Sequence, residues 1–204
     1  MEIIQIINEQ EKLFIEKIKK DDLSFLLDLK KESWWGTHNT MIINIEDQQK
    51  WYESIPSNEL YMMLEFESQV IGVGCYTEIN WIGRSLNISG SIDKRFRKLD
   101  VVKNSFSCGL DFAFEILNMQ RVGAEVLETN VAAKHLEVVH LGFKIEGRRR
   151  KAVYKSGRYY DSIVLGLLRE EWESQDRVKS YIGCCNKNFD YEKAKKSIKN
   201  HEEV

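Results

Sequence analysis

The sequence predicts a mixed α/β fold, and three observations predict it. Apolar, β-branched or aromatic runs suited to strands recur between amphipathic stretches with a helical period. Several of these runs follow one another across short polar turns, the pattern of antiparallel hairpins. One run, Arg84–Ile92, is followed instead by a long helical stretch before the next strand, the pattern of a crossover. The expected order is strand, two helices, three strands, helix, strand, helix, two strands. That order describes a mostly antiparallel central sheet flanked by helices.

Leu13–Ile18 has strand character, and Asp21 or Asp22 offers an N-cap for a helix with Leu23, Leu26, Leu27 and Leu29 on one face. Met1–Ile7 is apolar and fits a strand, a helix or a loose arm. Ser33–Thr40 breaks all periodicity and carries Trp34, Trp35 and His38, so it reads as a loop. Ile45–Ile55 forms a second helix, stopped at Pro56. Leu60–Phe66 and Val70–Thr77 form a hairpin about Glu67-Ser68-Gln69. Arg84–Ile92 alternates Leu86, Ile88, Gly90 and Ile92 with Asn87, Ser89 and Ser91. The basic residues Lys94, Arg95, Arg97 and Lys98 follow, and Asp100 opens a helix reaching Leu117. Arg121–Leu127 is a strand and Ala132–His140 a short helix. Phe143–Tyr154 and Tyr159–Leu168 are a hairpin with Lys155–Arg158 as its turn.

The 204 residues fit one domain, residues 1–172, plus a polar, Lys-rich tail over 173–204 that is helical at most over Tyr191–Lys199. Thirty basic against 32 acidic side chains leave no basic excess, which disfavours nucleic acid as a partner. No apolar run reaches the roughly 20 residues of a membrane span, and the N-terminus lacks the pattern of a signal peptide. Cys75 and Cys108 lie in apolar runs, and the adjacent Cys184 and Cys185 lack metal-ligand spacing. Reduced thiols in a cytoplasmic protein are therefore expected, with no metal.

The chain contains Glu128-Thr129-Asn130 after a strand, then a short helix, then Leu141-Gly142-Phe143-Lys144-Ile145-Glu146-Gly147-Arg148. It closes with Tyr154–Ile163 and Leu168-Arg169-Glu170-Glu171-Trp172. In order and spacing these resemble the GNAT acyltransferase superfamily over Leu13–Trp172, in the branch of ribosomal-protein and amino-sugar N-acetyltransferases. Ile71–Trp81 is similar to nucleotide-sugar amine acetyltransferases of that branch, a resemblance that implies Tyr76 and Trp81 as substrate-binding residues. The resemblance implies a GNAT fold with a splayed strand pair and transfer of an acetyl group from acetyl-CoA to an amine. It implies a CoA contact at Ile92 and a phosphate site at the N-terminus of the helix that follows, formed by Arg97, Lys98, Leu99, Asp100, Val101, Val102 and Lys103, with Asn130 as a further CoA contact or a helix cap. Trp34 and Trp35 stand where the family binds substrate, and they suit stacking on a sugar or covering a core.

Three features depart from that pattern. The family's phosphate loop has two small positions, occupied here by Asp100 and Val102, and its preceding proline is replaced by Lys94 beside Asp93. Asp100 repels an anion and can compete for the helix N–H groups. The family's tyrosine falls on Val138 when counted back from Gly142-Phe143 and on Glu137 when counted forward from Asn130, so one residue is irregular there. His135 and His140 are alternative proton donors or ordinary surface histidines. The strand acid is replaced by Asn87, leaving Glu78, or His38 in the tryptophan loop, as the base.

The function expected from the resemblance is transfer of an acetyl group from CoA to a primary amine of a small molecule such as an amino-sugar nucleotide, or of a protein. The alternative is a GNAT-fold binding or regulatory module that has lost acetyl-CoA chemistry or uses another acyl donor. The C-terminal hairpin offers an edge for pairing between two copies, as in a homodimer.

Overall fold

The computed structural model describes residues 5–8, 13–38 and 44–175. Its centre is one eight-stranded sheet in the order β1-β2-β3-β4-β5-β6-β8-β7. The strands are β1 (Gln5–Asn8), β2 (Leu13–Lys17), β3 (Leu60–Phe66), β4 (Gln69–Asn80), β5 (Ser85–Ile92), β6 (Arg121–Leu127), β7 (Lys144–Lys155) and β8 (Arg158–Leu168). The helices are α1 (Leu23–Ser33), α2 (Ile45–Glu53), α3 (Leu99–Asp111), α4 (Val131–His135) and α5 (Arg169–Glu173). The expected mixed, mostly antiparallel sheet flanked by helices is the fold observed, with β1 added at its edge against β2. The vicinal cysteines and the tail beyond Gln175 lie outside the described residues.

Local chemistry sets several boundaries. The β3–β4 turn places Glu67 and Ser68 at φ 49° and 61°, and the β7–β8 turn places Ser156 and Gly157 at 48° and 81°. Both are two-residue turns whose twist matches a hairpin. The expected four-residue turn at Lys155–Arg158 is thus shorter, and Lys155 and Arg158 are its paired flanking strand residues. Asn44 caps α2 through Oδ1, which accepts from the Asp47 N–H at 2.8 Å. Asp22 does not cap α1 from its side chain; its carboxylate accepts instead from the Lys19 N–H at 2.6 Å, closing a short 3-10 turn ahead of the helix.

Strand alternation divides the core between the two faces of the sheet. Met63 and Val73 lie with Leu23, Leu26 and Leu29 beneath α1, with Trp51 and Tyr52 of α2 packed alongside. Met62, Leu64, Tyr76, Ile88, Val122, Ala124 and Val126 lie on the other face, with Leu110, Phe114 and Leu136. Trp172 of α5 closes this second core, its indole N–H donating to Asp111 at 2.9 Å. Gln175 Nε2 donates to the Leu141 carbonyl, so packing continues slightly beyond the expected boundary at residue 172.

The feature that positions the site is the junction of β5 and β6. They are the parallel neighbours of this sheet, yet they pair only at Ser85↔Arg121, Leu86↔Val122 and Asn87↔Gly123. β5 then continues to Ile92 along β4, and β6 to Leu127 along β8. The two strands part after Asn87 and Gly123. Their facing backbone groups beyond that point have no strand partner, which is the splayed pair expected from the sequence.

Candidate functional site at the strand splay

The point of divergence is built from Asn87, Gly123 and Glu78. A β-bulge between Thr77 and Asn80 places Glu78 at φ 52°, turning its carboxylate toward β5. Asn87 Nδ2 donates to Glu78 Oε2 at 2.7 Å. A Cβ at Gly123 would stand 2.2 Å from Asn87 Oδ1, so the bare backbone of Gly123 is what lets Asn87 lie across the junction. Asn87 thus stands at the place expected for the strand acid and holds a carboxylate delivered from the neighbouring strand.

His38 reaches the same face from the other side. Register places Asn87 opposite Gly123, and Glu125 lies two residues further along β6, about 7 Å away on that face. His38 Nε2 and the Ser162 hydroxyl share a hydrogen bond of 2.6 Å, and Nε2 is 4.0 Å from Glu125 Oε1. Burial holds the His38 pKa below the usual histidine value; Glu125 opposes this shift, while Lys155 and Arg149 reinforce it. A neutral imidazole near pH 7 can accept a proton.

The loop carrying His38 is tied down from two distant elements. Asn130 Oδ1 accepts from the Ala133 N–H at 3.2 Å and caps α4, while its Nδ2 donates to the Gly36 carbonyl at 3.1 Å. The close approach needs a glycine, because a Cβ at residue 36 would come within 2.9 Å of that nitrogen. Asn130 is therefore both a helix cap and a loop tether. Lys155 Nζ donates to the carbonyls of Trp34 and Thr37. Trp34 and Trp35 meet edge to face with centroids 4.5 Å apart, and Trp35 is 59% exposed.

At the other end of the splay, α3 begins at Leu99 with Lys98 as N-cap, and that side chain offers no cap hydrogen bond to the first turn. Asp100 sits inside the first turn. The Arg97 guanidinium binds the Ile92 carbonyl at 2.8 Å and Glu32 at 2.6 Å, and Arg95 binds Asp93 at 2.7 Å. These two arginines brace the loop. Lys98 and Lys103 stand beside the first turn in sequence, with Val101 and Val102 half-buried against the core. Ile92 is buried, and its contribution is the carbonyl that holds Arg97. Removing the negative charge with Asp100→Asn is expected to tighten acetyl-CoA binding about twofold to fivefold, the scale of one surface charge. Calorimetric titration checks this, and unchanged affinity would mean that phosphate does not approach the first turn.

Two residues expected to bind substrate are placed elsewhere. The bulge after Thr77 breaks the alternation that would put Tyr76 and Glu78 on one face: the Tyr76 ring is buried against Phe112, and its hydroxyl donates to the Gly109 carbonyl at 2.9 Å. Trp81, in the β4–β5 turn, is half-buried against the same core. Tyr76 is a packing residue here, and Trp81 packs part of its ring on the core. Cys75 and Cys108 form no disulfide among the described residues. Among the described residues no group of His, Cys, Asp and Glu side chains is arranged to hold a metal ion, and no helix is long and apolar enough to cross a membrane.

The one-residue discrepancy between Asn130 and Gly142 has a structural cause. α4 runs into a π-helical turn, Leu136–His140, closed by the Leu141 N–H on the Leu136 carbonyl. A π turn accommodates one extra residue. Glu137 lies in it, 8% exposed, with Oε2 lacking a hydrogen-bond partner, and burial pushes its carboxyl up to about 8. His140 Nε2 is likewise buried without a partner, and the His135 and His140 rings are 5.0 Å apart.

Comparison with known proteins completes the placement. Residues 15–164 match the family model described as "Acetyltransferase (GNAT) domain". The chain belongs to that family: it is a GNAT N-acetyltransferase, with acetyl-CoA as co-substrate. Among curated relatives, the spermidine N(1)-acetyltransferase of Vibrio cholerae is 22% identical over 165 residues, covering 78% of this chain and 95% of the relative. A candidate ribosomal N-acetyltransferase of Bacillus subtilis, YdaF, is 24% identical over 131 residues, covering 64% of this chain and 70% of the relative. The crystal structure of the Vibrio cholerae spermidine N-acetyltransferase with CoA and spermine shares the fold at a TM-score of 0.74 and 22% identity, covering 80% of this chain and 99% of that one.

The residues present fit a CoA thioester. The gap between β5 and β6 leaves backbone groups for an extended amide-bearing arm, and the α3 first turn is not capped by the Lys98 side chain. Lys98 and Lys103 would supply positive charge to phosphates at that first turn, while Asp100 would weaken their binding there.

Proposed function

We propose that this chain acetylates a primary amine of a small molecule, with the amine bound on the α1–α2 face of the sheet between Glu78 and the tryptophan loop. The observation that carries this reading is the Asn87–Glu78 pair at the point where β5 and β6 part. Acetyl-CoA supplies the acyl group as an activated thioester. Glu78 accepts the proton that the ammonium must lose before attack, and His38 on the same face is a second acceptor. Asn87 orients Glu78, and the splay confines the reacting partners, an effect able to supply several kcal/mol of the barrier reduction.

Trp35, exposed beside His38, gives the acceptor a flat apolar surface, which suits a sugar or a nucleoside better than a flexible chain. An amino sugar carried on a nucleotide is the acceptor class we favour. The β7 edge is available for pairing between copies in a homodimer, and a cytoplasmic setting, where acetyl-CoA and reduced thiols coexist, goes with the reading. The test is acetyl-CoA-dependent release of free CoA thiol against a panel of a nucleotide-linked amino sugar, spermidine and a ribosomal-protein N-terminal peptide. Fastest turnover is expected with the amino sugar. Spermidine or the peptide in its place would overturn the acceptor class, and no turnover across the panel would overturn the small-amine reading.

A further inference from the structure

A lysine that is 3% exposed is unusual, because a buried ammonium loses its hydration and needs compensation. Lys155, the last residue of β7, has that compensation from backbone alone among its described hydrogen bonds. Its Nζ donates to the carbonyls of Trp34 and Thr37 and lies 5.2 Å from the centre of the Trp34 ring. The first of those carbonyls belongs to the opening residue of the short 3-10 turn Trp34–Gly36, and the second to its C-cap Thr37, immediately before His38. The β7–β8 hairpin tip therefore holds the tryptophan loop through its main chain, while Asn130 holds the Gly36 carbonyl between them. His38 then meets Ser162 of β8, whose side chain is fully buried and so presents its hydroxyl in a fixed place.

We propose that Lys155 is a positioning residue for the acetyl transfer, fixing His38 against Ser162 and Glu125 by holding the carbonyls of Trp34 and Thr37. This rests on His38 serving the amine site, as proposed above. Two consequences follow from one side chain. Its hydrogen bonds set where His38 lies, and its positive charge acts on the imidazole. The charged groups facing His38 are Glu125 from β6, Arg149 and Lys155 from β7, with the neutral Ser162 from β8. Taking away Lys155 removes one of two cations and leaves Glu125 to favour the imidazolium.

The test compares Lys155→Met and Lys155→Arg with the unaltered chain, by kcat/KM for the amine against pH and by KM for acetyl-CoA. Lys155→Met is expected to lower kcat/KM for the amine roughly tenfold or more with KM for acetyl-CoA within about twofold. It should also move the acidic limb of the profile to higher pH. Lys155→Arg keeps the charge, so its acidic limb should stay in place even if its bulk disturbs the loop. A Met variant with unchanged melting temperature and an unmoved acidic limb would overturn the proposal, since a purely structural lysine would change the rate at every pH alike. If Lys155→Met fails to fold, Lys155→Gln, which can still donate to one carbonyl, carries the same measurement with the same expected shift. His38→Ala separates the two readings. Loss of activity there with no effect of Lys155 sinks only the positioning role. Full activity of His38→Ala removes His38 from the site and the positioning role with it.

Discussion

Glu137→Gln is expected to raise the melting temperature at pH 9 by at least about 5 °C and to leave it within about 2 °C at pH 5, judged from roughly 2–4 °C per kcal/mol for a chain of this size. The reason is the carboxyl buried in the π turn of α4, whose Oε2 has no hydrogen-bond partner and whose pKa burial pushes up to about 8 from the usual 4.5. Below pH 4.5 the group is protonated in both folded and unfolded chains and costs the fold nothing through ionisation. Between 4.5 and 8 the unfolded chain releases the proton and the folded chain keeps it, so stability falls as pH rises through this window. Above 8 the folded carboxylate is charged as well, and the loss is complete. A shift of this size corresponds to a ceiling of about 5 kcal/mol at 1.36 kcal/mol per pH unit. Glutamine has the shape of the protonated acid and cannot ionise, so it removes the pH-dependent part alone. Thermal melts of both chains between pH 5 and 9 check this; parallel curves would mean that Glu137 is solvated or paired in solution.

The elements legible from the sequence were those fixed by local chemistry. Alternation in β5, the polar turns of the two hairpins, and Asn130 at the head of α4 each act within a few residues, and each stands where the pattern placed it. The π turn was also legible, but only as a count that failed to close between Asn130 and Gly142. β1 was not separable from a helix or an arm, because its identity comes from pairing with β2 rather than from its own four residues.

The site was half legible. Glu78, His38 and Asn130 stand out as polar residues at strand ends or in aromatic loops. Nothing local distinguishes Ser162 or Glu125 from other strand residues, nor Lys155 from a turn lysine; their contacts with the His38 loop arise when β6, β7, β8 and the loop after α1 meet. Tyr76 misled for the complementary reason. One step along a strand reverses the face, and the bulge after Thr77 then sends Glu78 to the junction while Tyr76 remains in the core. Asn87 illustrates a subtler case: the expected acid is absent from β5, yet the amide in its place grips a carboxylate delivered from β4.

The second large effect concerns that carboxylate. Glu78→Gln is expected to lower kcat/KM for the amine by about 10²–10⁴, the usual contribution of a positioned base, because glutamine keeps the shape and the contact with Asn87 but cannot take a proton. Binding of acetyl-CoA should be unaffected, since its expected contacts are backbone groups along the β5–β6 gap and the first turn of α3, and glutamine keeps the size of Glu78 and its contact with Asn87. Asn87→Ala should lower the same rate less, by leaving Glu78 present and unoriented. The most direct measurement is therefore kcat/KM for the amine in Glu78→Gln, taken beside a calorimetric titration of the same variant with acetyl-CoA. A fall of about a hundredfold or more with an unchanged dissociation constant is the result predicted for a base at the point where β5 and β6 part. Wild-type turnover in that variant, with acetyl-CoA still bound, would place the proton acceptor elsewhere and contradict the account.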